Sequence, residues 1–294
     1  MDIRDLEVFL SVAKHLNFTR ASEEMHLSQP SVSVRVRELE KELKLKLFEQ
    51  LGKRVVLTEA GRLLEPHAQR VVAALDDAKH VIEEVQGFER GVLRIGASTT
   101  PGIYLAPKLF AMFKARYPKI EIHLAIEDTR KVEEGLIRNE YDFGFVGGRL
   151  IGDEVKLVPW LTDEVVLVAP PDHPLAQSKL VQLKHLANHQ FIFRESGSAT
   201  RKVVDEKLRL LNLQLQSAME MDNPEAVKQG VQAGLGVAFL SRFAVKPELK
   251  AGTLVVVRVR ELTIHRELKI AYRKDKHLSS AAQVFIEVAL QSFG

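Results

Sequence analysis

The sequence predicts an α/β protein in which a mainly helical N-terminal part is joined by one long helix to a larger part of alternating strands and helices. Three observations support this prediction. Residues 1–58 carry apolar side chains at helical spacing and almost no turn residues, and residues 59–87 continue that spacing as one helix. From Gly91 onward, short runs rich in Val, Ile and Leu alternate with helical stretches, which is typical of α/β units around a mostly parallel sheet.

The composition is that of an ordinary globular protein. The 294 residues are 46% hydrophobic and 28% charged, with a formal net charge of +3 and no cysteine. No apolar run approaches the ~18–20 residues of a membrane span, and the N-terminus lacks the basic and then apolar pattern of a signal peptide. We therefore expect a cytoplasmic protein without disulfides, cysteine-ligated metals or a thiol nucleophile. The net charge is too small to identify a nucleic-acid-binding protein by itself.

The first 58 residues predict three helices. In the first helix, apolar residues repeat at helical spacing, namely Leu6, Phe9, Leu10, Ala13 and Leu16. A short second helix is expected over residues 19–25 with Thr19 as its N-cap, and a turn at residues 26–28 leads to a third helix capped by Ser28. The third helix carries a single apolar stripe, formed by Val32, Val36, Leu39 and Leu43.

A short helix, a tight turn and a helix packed by one stripe form the arrangement by which a helix-turn-helix presents a surface to the DNA major groove. In that interpretation Gln29 and Ser33 reach base edges, and a strand at residues 55–57, after Gly52, forms a wing. Arg35, Arg37, Lys53 and Arg54 are expected to contact DNA phosphates. The candidate DNA surface comprises Gln29, Pro30, Ser31, Ser33, Val34, Arg35, Arg37, Lys53 and Arg54. A small helical bundle with solvated charges explains the same periodicity equally well.

Short motifs in this region are more specific than the periodicity. They are Ala21, residues 27–33 (Leu-Ser-Gln-Pro-Ser-Val-Ser), Leu39-Glu40, Leu47-Phe48 and residues 57–61 (Leu-Thr-Glu-Ala-Gly). In this order and spacing they resemble the N-terminal signature of LysR-type transcriptional regulators. Two positions depart from that signature. Gln50 stands where the family usually has Arg, which removes one expected wing contact to DNA, and Ser22 stands where many members have Ala.

The resemblance implies a winged helix-turn-helix over residues 1–58, a linker and dimerisation helix over residues 59–87, and a two-lobed, periplasmic-binding-protein-like effector domain over residues 91–294. It implies sequence-specific binding of double-stranded DNA under the control of a small-molecule effector. It also implies homodimers that associate into tetramers, and a contact with RNA polymerase if the regulator is an activator. The residues themselves lead us to expect no cofactor, no metal, no catalytic activity and no membrane partner.

The long helix carries an apolar stripe with alternating spacings of four and three residues: Leu64, Ala68, Val71, Leu75, Ala78, Ile82 and Val85. A lone helix does not bury such a heptad stripe, so the stripe predicts pairing with a second copy of the chain. The alternative is that the stripe packs on its own domain. Pro66 removes one helical hydrogen bond and is expected to kink the helix.

Two strand-to-helix turns present hydroxyl groups and free backbone N–H groups. One is residues 98–102 (Ser-Thr-Thr-Pro-Gly), and the other is residues 194–201 (Arg-Glu-Ser-Gly-Ser-Ala-Thr-Arg). Such turns at the carboxyl ends of strands suit a small anion, although each hydroxyl on its own could simply cap its helix. Together with the resemblance, the turns predict an anionic effector between two lobes. Its candidate contacts are Ser98, Thr99, Thr100, Thr129, Gly147, Ser196, Ser198, Thr200 and Arg201.

The larger part is expected to divide into two lobes, with the chain crossing near Thr162 and His265. One lobe then contains residues 91–161 and 268–294, and the other contains residues 162–267. Helices are expected around residues 104–117 and 132–138. Strands are expected at residues 92–97, 120–126, 143–147, 165–169, 191–193, 254–259 and 268–272.

No catalytic motif is complete in this sequence. His185 and His189 would share a helix face, but Leu186 occupies the position where a zinc protease needs Glu. Gly234-Leu235-Gly236 lacks the third glycine of a dinucleotide fingerprint, and Ser196-Gly197-Ser198 lacks the glycine that completes a nucleophile elbow. The alternative function is a two-lobed solute-binding protein without DNA-dependent function. The predicted helix-turn-helix and the missing export signal argue against it, and an enzyme is disfavoured because no general acid–base pair stands out.

Overall fold

The structure is a computed structural model that describes residues 1–52, 54–85, 91–148, 150 and 152–292, with the backbone alone for residues 76, 77 and 79–85. It contains two compact units, Met1–Gly87 and Phe88–Gly294.

The N-terminal unit is built from helices and one antiparallel hairpin. Its elements are α1 (Ile3–His15), α2 (Phe18–Glu24), α3 (Gln29–Leu43), β1 (Phe48–Leu51), β2 (Arg54–Leu57) and α4 (Glu59–Val85). Ser28 caps α3 as predicted, because its side chain accepts a hydrogen bond from the backbone N–H of Ser31. The predicted cap of the second helix was wrong. Asn17 caps α2, since its carbonyl Oδ1 accepts from the N–H groups of both Thr19 and Arg20, at 2.9 and 3.1 Å.

A buried carboxylate connects α3 to the hairpin. Glu40 is only 7% exposed. Its Oε1 accepts hydrogen bonds from the backbone N–H groups of Leu47 at 2.9 Å and Phe48 at 3.3 Å, while its Oε2 accepts from Lys46 Nζ at 2.6 Å. The carboxylate therefore satisfies backbone donors that would otherwise be buried without partners. This contact gives the Leu39-Glu40 and Leu47-Phe48 motifs a common structural role, because it fixes where the wing begins.

The C-terminal unit alternates strands and helices along most of its length. Its strands are β3 (Gly91–Ser98), β4 (Ile120–Glu127), β5 (Phe143–Val146), β6 (Val155–Ala169), β7 (Gln190–Arg194), β8 (Gln216–Met221), β9 (Ala238–Ser241), β10 (Val255–Val256) and β11 (Ile264–Arg273). Its helices are α5 (Thr99–Tyr104), α6 (Ala106–Arg116), α7 (Thr129–Ile137), α8 (Ala199–Leu210), α9 (Pro224–Gln232), α10 (Arg242–Ala251) and α11 (Ser280–Gln291).

The main sheet has the strand order β10-β6-β11-β5-β3-β4, with β9 also paired to β6. Pairing is parallel where β3 meets β4 and β5, and antiparallel where β11 meets β5 and β6. Strands β7 and β8 form a separate parallel pair. This topology confirms the α/β fold, but the main sheet is mixed and not mostly parallel as predicted, because the long strands β6 and β11 run antiparallel to the strands beside them.

Two hydrophobic cores lie toward opposite ends of the long strands β6 and β11, and we call the parts around them lobe I and lobe II. The core of lobe I includes Leu93, Ile95, Phe113, Phe143, Phe145, Ile270 and Phe285. The core of lobe II includes Val165, Leu167, Phe191, Phe193, Val204, Phe239 and Ile264. Because β6 and β11 contribute to both cores, the two lobes share these strands. The predicted crossings at Thr162 and His265 fall on these shared strands, and the lobe boundaries themselves stay a prediction.

Several predicted elements of this unit have different bounds in the structure. The helix expected over residues 104–117 is α6, and a further short helix, α5, occupies most of the turn expected at residues 98–102. The strand expected at residues 165–169 is the second half of the 15-residue β6, and the strand expected at residues 254–259 is the two-residue β10. Strands β8 and β9 were not predicted.

Candidate functional site

The outer face of α3 carries the residues that were predicted to read DNA bases. Gln29, Pro30 and Ser31 are exposed, and Val34 is 44% exposed. Gln29 Nε2 donates a hydrogen bond to Ser33 Oγ at 2.9 Å, so the two side chains form one polar surface. The opposite face is buried against the core of the N-terminal unit through Val32, Val36 and Leu39. The helix therefore packs by one stripe and leaves its N-terminal half open, which is the geometry of a recognition helix.

The predicted phosphate-binding cations have different environments. Arg37 is exposed, and its Nε donates to the carbonyl oxygen of Ser33 at 3.1 Å. Arg54 is also exposed, at the start of β2. Arg35 instead lies beside the start of α1, where its Nη1 donates to Asp5 Oδ1 at 2.9 Å. This ion pair removes Arg35 from the freely available cations, while Lys53 lies outside the described residues.

The apolar stripe of α4 is used in two ways. Leu64 and Ala68 pack against the core of the N-terminal unit, and Ala68 is 1% exposed. Val71 is 47% exposed, and Ala78 is exposed as well. The side chains of Ile82 and Val85 lie outside the described part of the chain. The alternative of packing on its own domain therefore holds for the beginning of the stripe, whereas the exposed Val71 and Ala78 are available to a second copy.

The C-terminal unit contains a polar cleft where three strand-to-helix turns meet. The turns are the starts of α5, α7 and α8, so strands and helices from both lobes contribute to the cleft. It is narrow, with a cavity volume of about 20 Å³. Its lining residues are Ser98, Thr99, Thr100, Glu127, Asp128, Thr129, Arg194, Glu195, Gly197, Ser198, Ala199, Thr200 and Arg266.

Arg266 organises this cleft and was not predicted. Its guanidinium is 4% exposed and donates to Thr200 Oγ1 from Nη1 and to Thr100 Oγ1 from Nη2, each at 2.9 Å. Its charge is balanced by Asp163, whose Oδ2 accepts from Nε at 2.8 Å and which is fully buried. Burial lowers the pKa of the Arg266 guanidinium and the nearby charge of Arg194 lowers it further, while Asp163 raises it.

The hydroxyl groups of the cleft have distinct partners. Ser198 caps α8, since its Oγ accepts from the N–H of Arg201 at 3.4 Å, so the capping alternative holds there. Ser98 does not cap α5 with its side chain, and its Oγ accepts from the N–H of Gly147 at 3.1 Å. Thr129 is 8% exposed, and its Oγ1 has no hydrogen-bond partner among the residues that the structure describes. Most of the hydroxyl pattern is therefore not explained by helix capping.

A second buried arginine lies in the same cleft and was also missed. Arg194 ends β7, and its Nε and Nη2 donate to Glu195 Oε2 and Oε1 at 2.8 and 2.9 Å. Its Nη2 also donates to the carbonyl oxygen of Asp222 at 3.1 Å. The sequence signal was present, because Arg194 follows a short apolar strand directly, where side chains point toward a ligand edge.

Six of the nine predicted effector residues lie together in the cleft lining. They are Ser98, Thr99, Thr100, Thr129, Ser198 and Thr200. Three do not line it. Ser196 is exposed, Gly147 is buried behind Ser98, and Arg201 faces a different groove. The guanidinium of Arg201 lies 4.1 Å from the Phe193 ring and donates to Asp205 at 2.7 Å, so we remove Arg201 from the candidate contacts.

Two other kinds of site are absent from the described residues. No helix there is long and apolar enough to cross a membrane. No group of three or more His, Cys, Asp or Glu side chains there is placed to hold a metal ion.

Comparisons with known proteins agree with this architecture. The family model described as "Bacterial regulatory helix-turn-helix protein, lysR family" matches residues 3–62, and the model described as "LysR substrate binding domain" matches residues 86–294. The RuBisCO operon transcriptional regulator of Allochromatium vinosum is 38% identical over 290 residues, which cover 99% of this chain and 96% of the relative.

Many solved structures are similar to this chain, among them one of OxyR and one of CcmR. Full-length OxyR from Pseudomonas aeruginosa, in a variant with one cysteine replaced by aspartate, matches with a TM-score of 0.78 and 25% identity, covering 99% of this chain and 94% of that one. The regulatory domain of CcmR from Synechocystis PCC6803, solved in complex with 2-PG, matches with a TM-score of 0.65 and 28% identity. That match covers 69% of this chain and 97% of the CcmR chain.

Proposed function

Because the chain belongs to the LysR family of bacterial transcriptional regulators, with a DNA-binding domain and an effector domain, we propose specific roles for its two surfaces. The exposed face of α3 reads operator DNA, with Gln29 and Ser33 on base edges and Arg37 and Arg54 on phosphates. A small oxyanion bound in the cleft between lobe I and lobe II controls this binding. The regulator acts in the cytoplasm and has no catalytic activity. At promoters where it activates transcription, it contacts RNA polymerase.

The observation that carries the effector proposal is the set of hydroxyl groups with unused donors. Thr129 Oγ1 is buried and, within the described chain, makes no hydrogen bond. The oxygens of Thr100 and Thr200 accept from Arg266, so the proton of each hydroxyl is left to donate elsewhere. Buried polar groups are rarely left unsatisfied, and an oxyanion supplies the acceptors that these donors lack.

Both arginines of the cleft are paired with carboxylates, so a small anion would be held by neutral donors, in the presence of the Glu127 and Asp128 carboxylates. Arg266 is neutralised by Asp163, and Asp128 is occupied as the N-cap of α7. The N-terminus of α8 adds backbone N–H groups and the positive end of a helix dipole. The complex of the CcmR domain with 2-PG, 2-phosphoglycolate, supports a small anionic effector.

We further propose that two copies of the chain pair through the α4 stripe beyond Ala68, where the sequence places Val71, Leu75, Ala78, Ile82 and Val85. A heptad stripe that leaves its own core is buried by a matching stripe. Such a dimer presents two α3 helices to the two halves of a symmetric operator. Tetramers, as dimers of dimers, remain an expectation of family membership.

Thermal unfolding of the full chain against small anions tests the effector proposal. Phosphate, sulfate and 2-phosphoglycolate are each added in a titration. A ligand at a hundred times its Kd adds ~2.7 kcal/mol to the native state, which raises the Tm by a few degrees. The shift should be lost in Thr100→Ala and Ser198→Ala and kept in Thr253→Ala, an exposed threonine elsewhere in the unit. No shift with any anion, or an equal shift in all variants, contradicts the proposed site.

A further inference from the structure

The cleft contains two buried arginines whose partners differ in one respect. Asp163, the partner of Arg266, is fully buried and also accepts a hydrogen bond from Ser241 Oγ at 2.8 Å. Glu195, the partner of Arg194, has a side chain that is 29% exposed. Both members of the Arg266 pair are therefore buried, with exposures of 4% and 0%, whereas the Arg194 pair has one member that solvent can reach.

The side chain of Glu195 is held mainly by Arg194, while its backbone is held independently. The Glu195 N–H donates to the carbonyl oxygen of Met221 at 3.2 Å, and its carbonyl oxygen accepts from the N–H of Ser198 at 3.0 Å. The next two residues, Ser196 and Gly197, are exposed. The Glu195 carboxylate can thus rotate into solvent without any change in the turn that leads into α8.

Arg194 does not have that freedom. Its side chain is 4% exposed, and its Nη2 is fixed by the carbonyl oxygen of Asp222. A guanidinium in this position needs a carboxylate or similar anion, because an unpaired buried charge is costly. Glu195 meets this need with two parallel N–H···O contacts, the bidentate geometry by which arginine also binds a ligand carboxylate.

We propose that the Glu195 carboxylate pairs with Arg194 in the free protein and that a carboxylate of the effector replaces it on binding. The effector class is then a small acid with two anionic groups. Its oxyanion head binds the hydroxyls of Thr100, Thr129 and Thr200, and its carboxylate takes the place of Glu195 on Arg194. This inference rests on the proposed function of the cleft. Because one carboxylate replaces another, Arg194 is paired both before and after the effector binds. The protein can therefore recognise the second anionic group of the effector without leaving a buried charge unpaired.

Isothermal titration of the full chain with a matched pair of probes tests this assignment. 2-Phosphoglycolate carries a phosphate and a carboxylate, and ethyl phosphate has the same phosphate without the carboxylate. The wild type should bind 2-phosphoglycolate about ten- to a hundredfold more tightly than ethyl phosphate, as expected for a charge-assisted pair. Arg194→Gln should reduce that ratio to about one, and Glu195→Gln should increase it severalfold because the competing carboxylate is gone.

The outcomes separate the two levels of the proposal. If ethyl phosphate binds and 2-phosphoglycolate binds no more tightly, the effector cleft stands and the role of Arg194 and Glu195 is wrong. If Glu195→Gln lowers the ratio, Glu195 is a ligand contact and not a competitor, which also overturns the assignment. If neither probe binds the wild type, the proposed function of the cleft fails and this inference fails with it. Glu195→Gln keeps the side-chain shape, so its result does not depend on how well Arg194→Gln folds.

Discussion

Asp163 and Arg266 are directly opposite each other on β6 and β11, and their buried side chains join the two strands that both lobes share. Asp163 Oδ2 lies 2.8 Å from Arg266 Nε and 2.7 Å from Arg266 Nη2. The same guanidinium reaches Thr100 and Thr200, which belong to the two hydroxyl turns of the cleft. One ion pair thus connects the shared strands to both sides of the candidate effector site.

Removal of one partner of this pair is expected to destabilise the C-terminal unit strongly. Asp163→Asn leaves the buried Arg266 charge without its counter-ion, which typically costs ~3–5 kcal/mol. Urea denaturation of the full chain, followed by the fluorescence of Trp160, measures this loss because Trp160 is the only tryptophan and packs against the core of lobe I. Glu164→Gln is the control, since the neighbouring pair with Arg242 is exposed and such pairs contribute ~0–1 kcal/mol. Equal losses in the two variants would contradict the structural role of Asp163.

The sequence predicted the hydroxyl turns but not the arginine between them. Ser98, Thr100, Ser198 and Thr200 all lie where a strand gives way to a helix, so local patterns were sufficient to find them. Arg266 lies 66 residues from Thr200 and 166 residues from Thr100. Its role depends on the pairing of β6 with β11, and no local spacing in one sequence specifies that register.

Two strand segments were also missed because their conformation depends on pairing with another strand and not on a local sequence pattern. β8 (Gln216–Met221) is mostly exposed, so it has little of the apolar alternation that identifies a strand, and its pairing with β7 decides its conformation. The first half of β6 contains Pro159, which argues against a strand in a sequence. The register of β6 with β11 shifts at this point, between Leu268 and Lys269, and a bulge is one of the places where a sheet accepts proline.

Because the Thr129 hydroxyl has no partner among the described residues, its removal is expected to weaken anion binding without lowering stability. Thr129→Val keeps the shape of the side chain and removes a buried polar group without a partner, so the empty protein should be as stable as the wild type or slightly more stable, by up to about 1 kcal/mol. The same variant should bind phosphate several times more weakly. Denaturation and titration calorimetry measure the two effects on one sample.

Thr58→Val is the control for the stability of Thr129→Val, because it removes a hydroxyl that does have hydrogen-bond partners. Thr58 Oγ1 donates to the carbonyl oxygen of Lys46 at 2.6 Å and accepts from the N–H of Gly61 at 3.1 Å, so its loss should cost about 1–2 kcal/mol. A loss of similar size in Thr129→Val would mean that the Thr129 hydroxyl already has a stabilising contact, which would count against its role as a ligand donor.

Arg35 and Arg37 are two residues apart and are expected to differ in their effect on DNA binding. Arg37 is exposed on the open side of α3, and each phosphate contact contributes about 0.9 to the slope of log K against log salt concentration. Arg37→Ala should therefore reduce that slope by about one. Arg35 is engaged by Asp5 across the interface between α1 and α3, so Arg35→Ala should lower the stability of the N-terminal unit and leave the salt slope unchanged. Fluorescence anisotropy with operator DNA at several salt concentrations measures both slopes, and a reduced slope for Arg35→Ala would place Arg35 on the DNA.

The stability of the N-terminal unit should fall in acid because of Glu24. Burial raises the pKa of this carboxyl, but the hydrogen bonds from Lys14 and Ser11 and the charges of Lys14 and His15 outweigh it and lower the pKa to about 2. A carboxyl with a lowered folded-state pKa stabilises the fold above its unfolded-state pKa, near 4.5, and that stabilisation is lost as the pH falls toward 2. Since Glu24 is 36% exposed, solvent screening limits its contribution to about 1 kcal/mol.

Hydrogen–deuterium exchange of the α1 and α2 peptides in the full chain, corrected for the intrinsic pH dependence of exchange, tests this prediction. At pH 6 the wild type should be better protected than Glu24→Gln, because the variant keeps the side-chain shape and loses the charge that Lys14 and His15 stabilise. Between pH 4.5 and pH 2.5 the difference between the two proteins should shrink, because the unfolded state takes up a proton on Glu24 before the folded state does. Glu23→Gln, at an exposed neighbouring position, should follow the wild type at every pH. A difference between wild type and Glu24→Gln that stays constant down to pH 2.5 would show that Glu24 stabilises the joint between α1 and α2 through packing and not through its charge.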